Sequence, residues 1–122
     1  MAPILQRTVG VVEDDTDFRR ALQRLLTVRG YAVKPYSSGE ALLEDPHREL
    51  SCIIIDINLG GMTGIELQQQ LTASGSAIPV IFMTAFDSSL VKQQAISAGC
   101  VSYLLKPFSA LQLFEAIRQI DG

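Results

Sequence analysis

Apolar residues fall along this chain in two alternating rhythms. Short, mainly apolar runs recur at regular intervals: Thr8–Val12, Tyr31–Pro35, Cys52–Asp56, Pro79–Met83 and Val101–Leu105. Runs of this length, bounded by turn and charged residues, read as buried strands. Between them the spacing widens to that of helices. Phe18, Ala21, Leu22, Leu25 and Leu26 make one apolar stripe, with Arg19, Arg20, Gln23 and Arg24 on the solvent side. Gly30 is placed to stop that helix. Ser37-Ser38-Gly39-Glu40 and Thr63-Gly64-Ile65-Glu66 have capping-box spacing, so helices are expected after each. The second of these helices should end near Gly75. A weaker pattern from Ser88 to Ala98 stops at Gly99. Ser109-Ala110-Leu111-Gln112 opens a last helix whose Ala110, Leu113, Phe114 and Ile117 share a face.

Five strands alternating with five helices predict right-handed crossovers and a parallel sheet covered on both faces. Lys34 and Pro35 mark the second strand as a sheet edge. No repeat, low-complexity tract or linker interrupts residues 1–122, which are expected to form one domain with a core from about 8 to 120.

In such a sheet, ligands sit in the crevice beyond the carboxyl ends of the strands. The first strand delivers Glu13 and Asp14 there, the third Asp56, the fourth Thr84 and the fifth Lys106. Three carboxylates at one edge repel, and a divalent cation removes the conflict. Oxygen ligands of this kind suit Mg²⁺. Neither His nor Cys follows these strands, which disfavours softer metals. A carboxylate beside a cation, with a hydroxyl and an ammonium opposite, is equipped for phosphoryl chemistry through an acyl phosphate.

Composition narrows the alternatives. Apolar residues make up 48% of the chain and charged residues 19%, with net charge −3. That balance argues against a nucleic-acid surface. No apolar run is long enough to span a membrane, and Met1–Arg7 lacks a signal-peptide core, so a cytoplasmic protein is expected. Cys52 and Cys100 lack metal-binding spacing and read as buried hydrophobes. His47, the only histidine, belongs to a polar connection. Neither a phosphate-cradling Gly-x-x-x-x-Gly-Lys-Ser/Thr loop nor a Gly-x-Gly-x-x-Gly motif is present.

Four motifs, each after its own strand, carry a resemblance. They are Val11-Val12-Glu13-Asp14, Asp56-Ile57-Asn58-Leu59-Gly60-Gly61-Met62-Thr63-Gly64, Met83-Thr84-Ala85 and Tyr103-Leu104-Leu105-Lys106-Pro107-Phe108. From Thr8 to Ile120 the chain resembles a receiver domain of the two-component response regulators. The resemblance implies a flavodoxin-like (βα)5 fold with strand order 2-1-3-4-5. It implies Asp56 as phosphoacceptor, Asp14 as direct Mg²⁺ ligand and Glu13 as an acid acting through metal-bound water. Asn58 would lend its backbone carbonyl to the metal. Thr84 and Lys106 would contact the phosphoryl oxygens, and Thr84 with Tyr103 would form the switch. A small Ala85 would leave room for the phosphoryl group, and the Lys106–Pro107 bond would be cis.

Phosphoryl donors would be a sensor histidine kinase or a histidine phosphotransfer protein. The fourth helix, fifth strand and fifth helix would form a face for dimerisation or output. The stretches Gly30–Val33, Ile78–Ala85 and Lys106–Phe108 lean toward regulators with a C-terminal helix-turn-helix domain, hence transcription control. A standalone phosphorelay shuttle is the alternative. An aspartyl-phosphate phosphatase is a weaker one, because Asn58 stands where such an enzyme carries an acid. Two departures stand out. Gly60 occupies the usual place of a proline, which predicts a looser loop, and bulky Phe86 lies where access of hydrolytic water is controlled.

Overall fold

The computed structural model describes residues 7–46 and 49–121, so His47 lies outside the described residues. The strands are β1 (Thr8–Val12), β2 (Ala32–Tyr36), β3 (Cys52–Asp56), β4 (Val80–Thr84) and β5 (Ser102–Leu105). All pair in parallel, in the order β2-β1-β3-β4-β5. The helices are α1 (Thr16–Val28), α2 (Gly39–Glu44), α3 (Gly64–Ala73), α4 (Ser89–Ser97) and α5 (Ala110–Asp121). Strands β2, β4 and β5 lie within one residue of the bounds expected from sequence.

The central strands are apolar throughout because both of their faces are covered. Along β3, Cys52 and Ile54 enter the core shared with Leu22, Leu26, Leu113 and Ile117 of α1 and α5. Ile53 and Ile55 enter the opposite core, with Leu42, Leu67, Leu71 and Ala95 of α2, α3 and α4. Alternation along a pleated strand thus feeds two cores from one run. Each fully buried isoleucine is worth about 1.5–3 kcal/mol. At the edge, β2 pairs only with β1, and its Lys34 and Pro35 are exposed.

Local signals set the helix ends. Asp15 caps α1 by accepting from the Phe18 N–H. Thr63 and Glu66 close the expected capping box on α3, and Ser109 with Gln112 closes another on α5. Gly30, Gly75 and Gly99 follow α1, α3 and α4 at positive φ, as stop signals should.

Three expectations need correction. The box at Ser37 and Glu40 does not form. Ser38 is the cap, its Oγ accepting from Ala41 N–H, and Ala41 has no side chain to reach back. Ala21 and Ala110 are exposed, so the apolar faces of α1 and α5 are narrower than their spacing suggests. Cys52 is buried, but Cys100 is only half-buried.

The α3 box supports the site, since α3 follows directly on the β3 loop. Thr63→Ala is expected to cost about 1 kcal/mol in urea unfolding. The backbone N–H of Thr63 holds the Glu66 carboxyl below its usual value of 4.5. Its contribution is therefore present above the unfolded value and lost as pH falls through the folded one.

Candidate functional site

The carboxyl ends of β1 and β3 meet that of β5 at one group, the ammonium of Lys106. The Lys106 side chain is only 15% exposed. Its Nζ donates to Glu13 Oε1 and, at 2.7 Å, to Asp56 Oδ2. It reaches them because β5 hands its last residues to the top of β4, where Lys106 N–H donates to the Thr84 carbonyl at 2.8 Å. The following Lys106–Pro107 peptide is cis.

Each carboxylate also accepts a backbone N–H. Asp56 Oδ1 accepts the Asn58 N–H at 2.8 Å. Glu13, which is 0% exposed, accepts the Asp15 N–H on Oε2 at 3.2 Å. Asp14 is exposed and accepts the Gly60 N–H on Oδ2 at 3.2 Å. A proline at position 60 has no such N–H. The loop expected to be loose is therefore tied to one of the acids.

Oxygens of Glu13, Asp14 and Asp56 lie within 4.8 Å of one another. Burial pushes the Glu13 carboxyl up; the Lys106 bond opposes this and neighbouring Asp56 adds to it, for a value of about 7. Burial works against the Lys106 charge, but its bonds to Asp56 and Glu13 prevail and raise its pKa. One ammonium thus faces two buried acids with a third beside them. A hard divalent cation fits this all-oxygen set and would offset the remaining negative charge.

Thr84 is 0% exposed at the end of β4. Its Oγ1 accepts from Asn58 Nδ2 at 2.7 Å and from the Phe86 N–H at 3.1 Å. The side chain of Asn58 therefore joins the residues next to Asp56 to the Thr84 hydroxyl. Phe86 itself is exposed, and so is Ala85. Tyr103 stands apart from this network. It packs half-buried against the core shared by α3 and α4, and its hydroxyl is buried without a hydrogen-bond partner. Burial raises its pKa.

Three features had no signature in residue spacing. The Asn58 side-chain bond to Thr84 and the Gly60 tether both join loops from different strands. The third concerns α1. Arg19, placed by its spacing on the solvent face, donates instead to the Glu13 carbonyl at 2.8 Å. Phe18 sits with its ring centroid 4.1 Å from Lys106 Nζ.

Comparison with known proteins agrees with this architecture. The family model of the response regulator receiver domain matches residues 9–118. Response regulator protein TodT of Pseudomonas putida is 34% identical over 109 residues, which are 88% of this chain and 48% of TodT. The uncharacterized transcriptional regulatory protein YrkP of Bacillus subtilis is 39% identical over 107 residues, 88% of this chain and 46% of YrkP. The chain thus spans about half the length of these relatives. The crystal structure of FixJ-N superimposes with a TM-score of 0.88 at 32% identity, covering 96% of this chain and 94% of that one. CheY4 of Vibrio cholerae gives 0.87 at 25% identity, covering 95% and 99%.

A parallel five-stranded sheet carrying an acid triad and a lysine at its carboxyl edge defines a signalling domain of the two-component type. The chain belongs to the response regulator receiver domain family. No helix among the described residues is long and apolar enough to cross a membrane.

Proposed function

We propose that Asp56 accepts a phosphoryl group from a histidine kinase or a histidine phosphotransfer protein, and that this modification switches the domain. The observation that carries the reading is the convergence of Lys106 and the Asn58 N–H on the Asp56 carboxylate, with Glu13 and Asp14 alongside. An Asp56 oxygen attacks phosphorus. The P–N bond to the donor imidazole breaks, and its electron pair leaves with the imidazole. Lys106 and the Thr84 hydroxyl take up charge on the transferred oxygens, which is where preorganised donors contribute most. Asp14, Asp56 and the Asn58 carbonyl, with Glu13 behind them, would hold Mg²⁺, which supplies charge neutralisation of the transferring group. The same set supports slow hydrolysis of the acyl phosphate, so the domain catalyses both the gain and the loss of its own phosphoryl group.

Phosphorylation biases a two-state equilibrium. Thr84 is released from Asn58 toward the phosphoryl group, and Tyr103, whose hydroxyl lacks a partner in this state, changes position with it. Exposed Ile96 on α4, Leu105 on β5 and Leu111 on α5 offer apolar surface for a dimer or output contact. Relatives twice as long, one of them named a transcriptional regulator, support a role in transcription control. The phosphatase alternative finds no support at Asn58. That side chain is an amide already bound to Thr84, and it cannot carry a proton to water.

The test is incubation with Mg²⁺ and acetyl phosphate, followed by intact mass. One base-labile phosphoryl adduct is expected, absent in Asp56→Asn and absent without metal. A wild-type chain that neither labels nor binds beryllofluoride refutes the reading.

A further inference from the structure

We infer that Phe18 is a positioning residue for Lys106, holding its ammonium by a cation–π contact while Asp56, one of the two acids it faces, is phosphorylated. The inference rests on the phosphoacceptor reading of Asp56 for its consequence, though not for its geometry.

Lys106 Nζ lies 4.1 Å from the centroid of the Phe18 ring, well inside the range of attraction between an ammonium and an aromatic face. The other two groups holding it are Glu13 and Asp56. The ammonium is therefore enclosed by two acids and one ring, with its side chain only 15% exposed. Partial burial strengthens the ring's hold, because less water competes for the cation.

Phe18 is itself fixed from two directions. Its backbone N–H is committed to the Asp15 carboxylate that caps α1, at 3.0 Å. Its ring meets that of Phe108 edge to face, at 6.0 Å between centroids and 80° between planes. Phe108 follows the cis Lys106–Pro107 peptide, so the residue bracing the ring lies on the same loop as the lysine it serves. The next residue, Arg19, donates to the Glu13 carbonyl, which ties the first turn of α1 to the acid side of the site. Side chains on α1 and on the β5–α5 loop thus form one support around the ammonium.

The chemistry gives this support a purpose. Phosphoryl transfer neutralises Asp56 as a carboxylate and places new anionic oxygens nearby, so one of the two ionic partners of Lys106 changes. The ring does not take part in the transfer. It offers the same negative face before and after, without accepting a proton and without occupying Lys106 in a bond that must be broken. Leucine would fill similar space and keep the apolar stripe of α1, but it has no such face.

The test uses the full chain with phenylalanine, monofluoro-, difluoro- and trifluorophenylalanine installed at position 18. Fluorination drains the ring face while nearly preserving its shape. The rate of labelling by acetyl phosphate and Mg²⁺ is expected to fall stepwise, to about one fifth at trifluorophenylalanine. Melting temperature is measured alongside and should not follow the same order. Phe18→Leu is expected to lose at least as much rate, and Phe18→Tyr to keep it.

A readout independent of phosphorylation is the NMR shift of the Lys106 ε-methylene protons in metal-free protein. They should lie upfield from the ring current and return to ordinary values in Phe18→Leu. Normal labelling with a flat fluorine series overturns the inference and leaves Asp56 as phosphoacceptor. Absence of labelling in wild type overturns the phosphoacceptor reading instead. Ordinary ε-methylene shifts in wild type overturn the contact itself.

Discussion

Gly64→Ala is expected to destabilise the domain by about 3 kcal/mol in urea unfolding and to slow labelling of Asp56 in whatever protein stays folded. Gly64 opens α3 and is buried against the end of β3. A methyl group there would lie 2.5 Å from the Asp56 carbonyl oxygen, 2.8 Å from the Ile57 Cα and 2.9 Å from the Ile55 Cγ2. Two of these atoms are backbone, so no side chain can rotate out of the way. The Gly64 N–H also donates to the Ile57 carbonyl at 3.0 Å, which holds helix and strand at this close approach. Relief requires α3 to move off β3 or the Asp56 peptide to tilt, and either one re-aims the carboxylate.

Gly60→Ala is the control four residues earlier. A methyl group at position 60 meets only Asp14 Oδ2, at 3.7 Å, an ordinary contact. Its backbone N–H is retained, so a change within about 0.5 kcal/mol is expected. Equal losses at both positions would mean that general loop stiffening, and not the approach of α3 to Asp56, governs the response.

The contrast between these two glycines shows what residue order can and cannot disclose. Both follow Asp56 closely, Gly60 in the loop and Gly64 as the first residue of α3, and only the packing of α3 on β3 shows which of them has no room for a methyl group. The strands were legible because a strand buried on both faces has to be apolar from end to end, as Ile53–Ile55 are. The grouping of the candidate site was legible because a parallel sheet gathers whatever follows its strands, and Glu13, Asp14, Asp56, Thr84 and Lys106 all stand at strand ends. Contacts between loops were not legible. Asn58 meets Thr84 because β3 and β4 are neighbours in register, Ile57 N–H donating to the Met83 carbonyl at 2.9 Å. Nothing in the spacing of Asn58 reports that. Helical periodicity likewise puts Phe18 and Ala21 on one stripe. It cannot say that Phe18 reaches Lys106 while Ala21 stays exposed. The cap at Ser38 illustrates the same limit at short range. Two adjacent serines offer two starting points, and the chain takes the second, Ser38, two residues after β2 ends at Tyr36.

Lys106→Ala is expected to slow phosphoryl capture by about 100-fold, the scale set by removing one preorganised donor from a site that stabilises developing negative charge. It is also expected to reduce stability by about 3 kcal/mol, because breaking a buried ion pair leaves its partners unmatched. Here those partners are two, Glu13 and Asp56. The loss falls below the 5–15 kcal/mol typical of whole domains, so the variant should remain folded at room temperature. Neither hydrophobic core includes Lys106, which keeps the damage local to the sheet edge. Mg²⁺ separates the two roles of the lysine. A cation that binds only the folded state adds stability by mass action. In Lys106→Ala that cation meets acids with no ammonium among them, so the rise in melting temperature on adding Mg²⁺ should exceed that of wild type. Capture should stay slow even so, since a cation held by Asp14 and Asp56 does not supply the donor that Lys106 aims from the β5 side. A variant that unfolds at room temperature would make Lys106 chiefly a structural counter-ion. A variant that is folded, rescued in stability by Mg²⁺ and still slow to label would place it in the transfer itself.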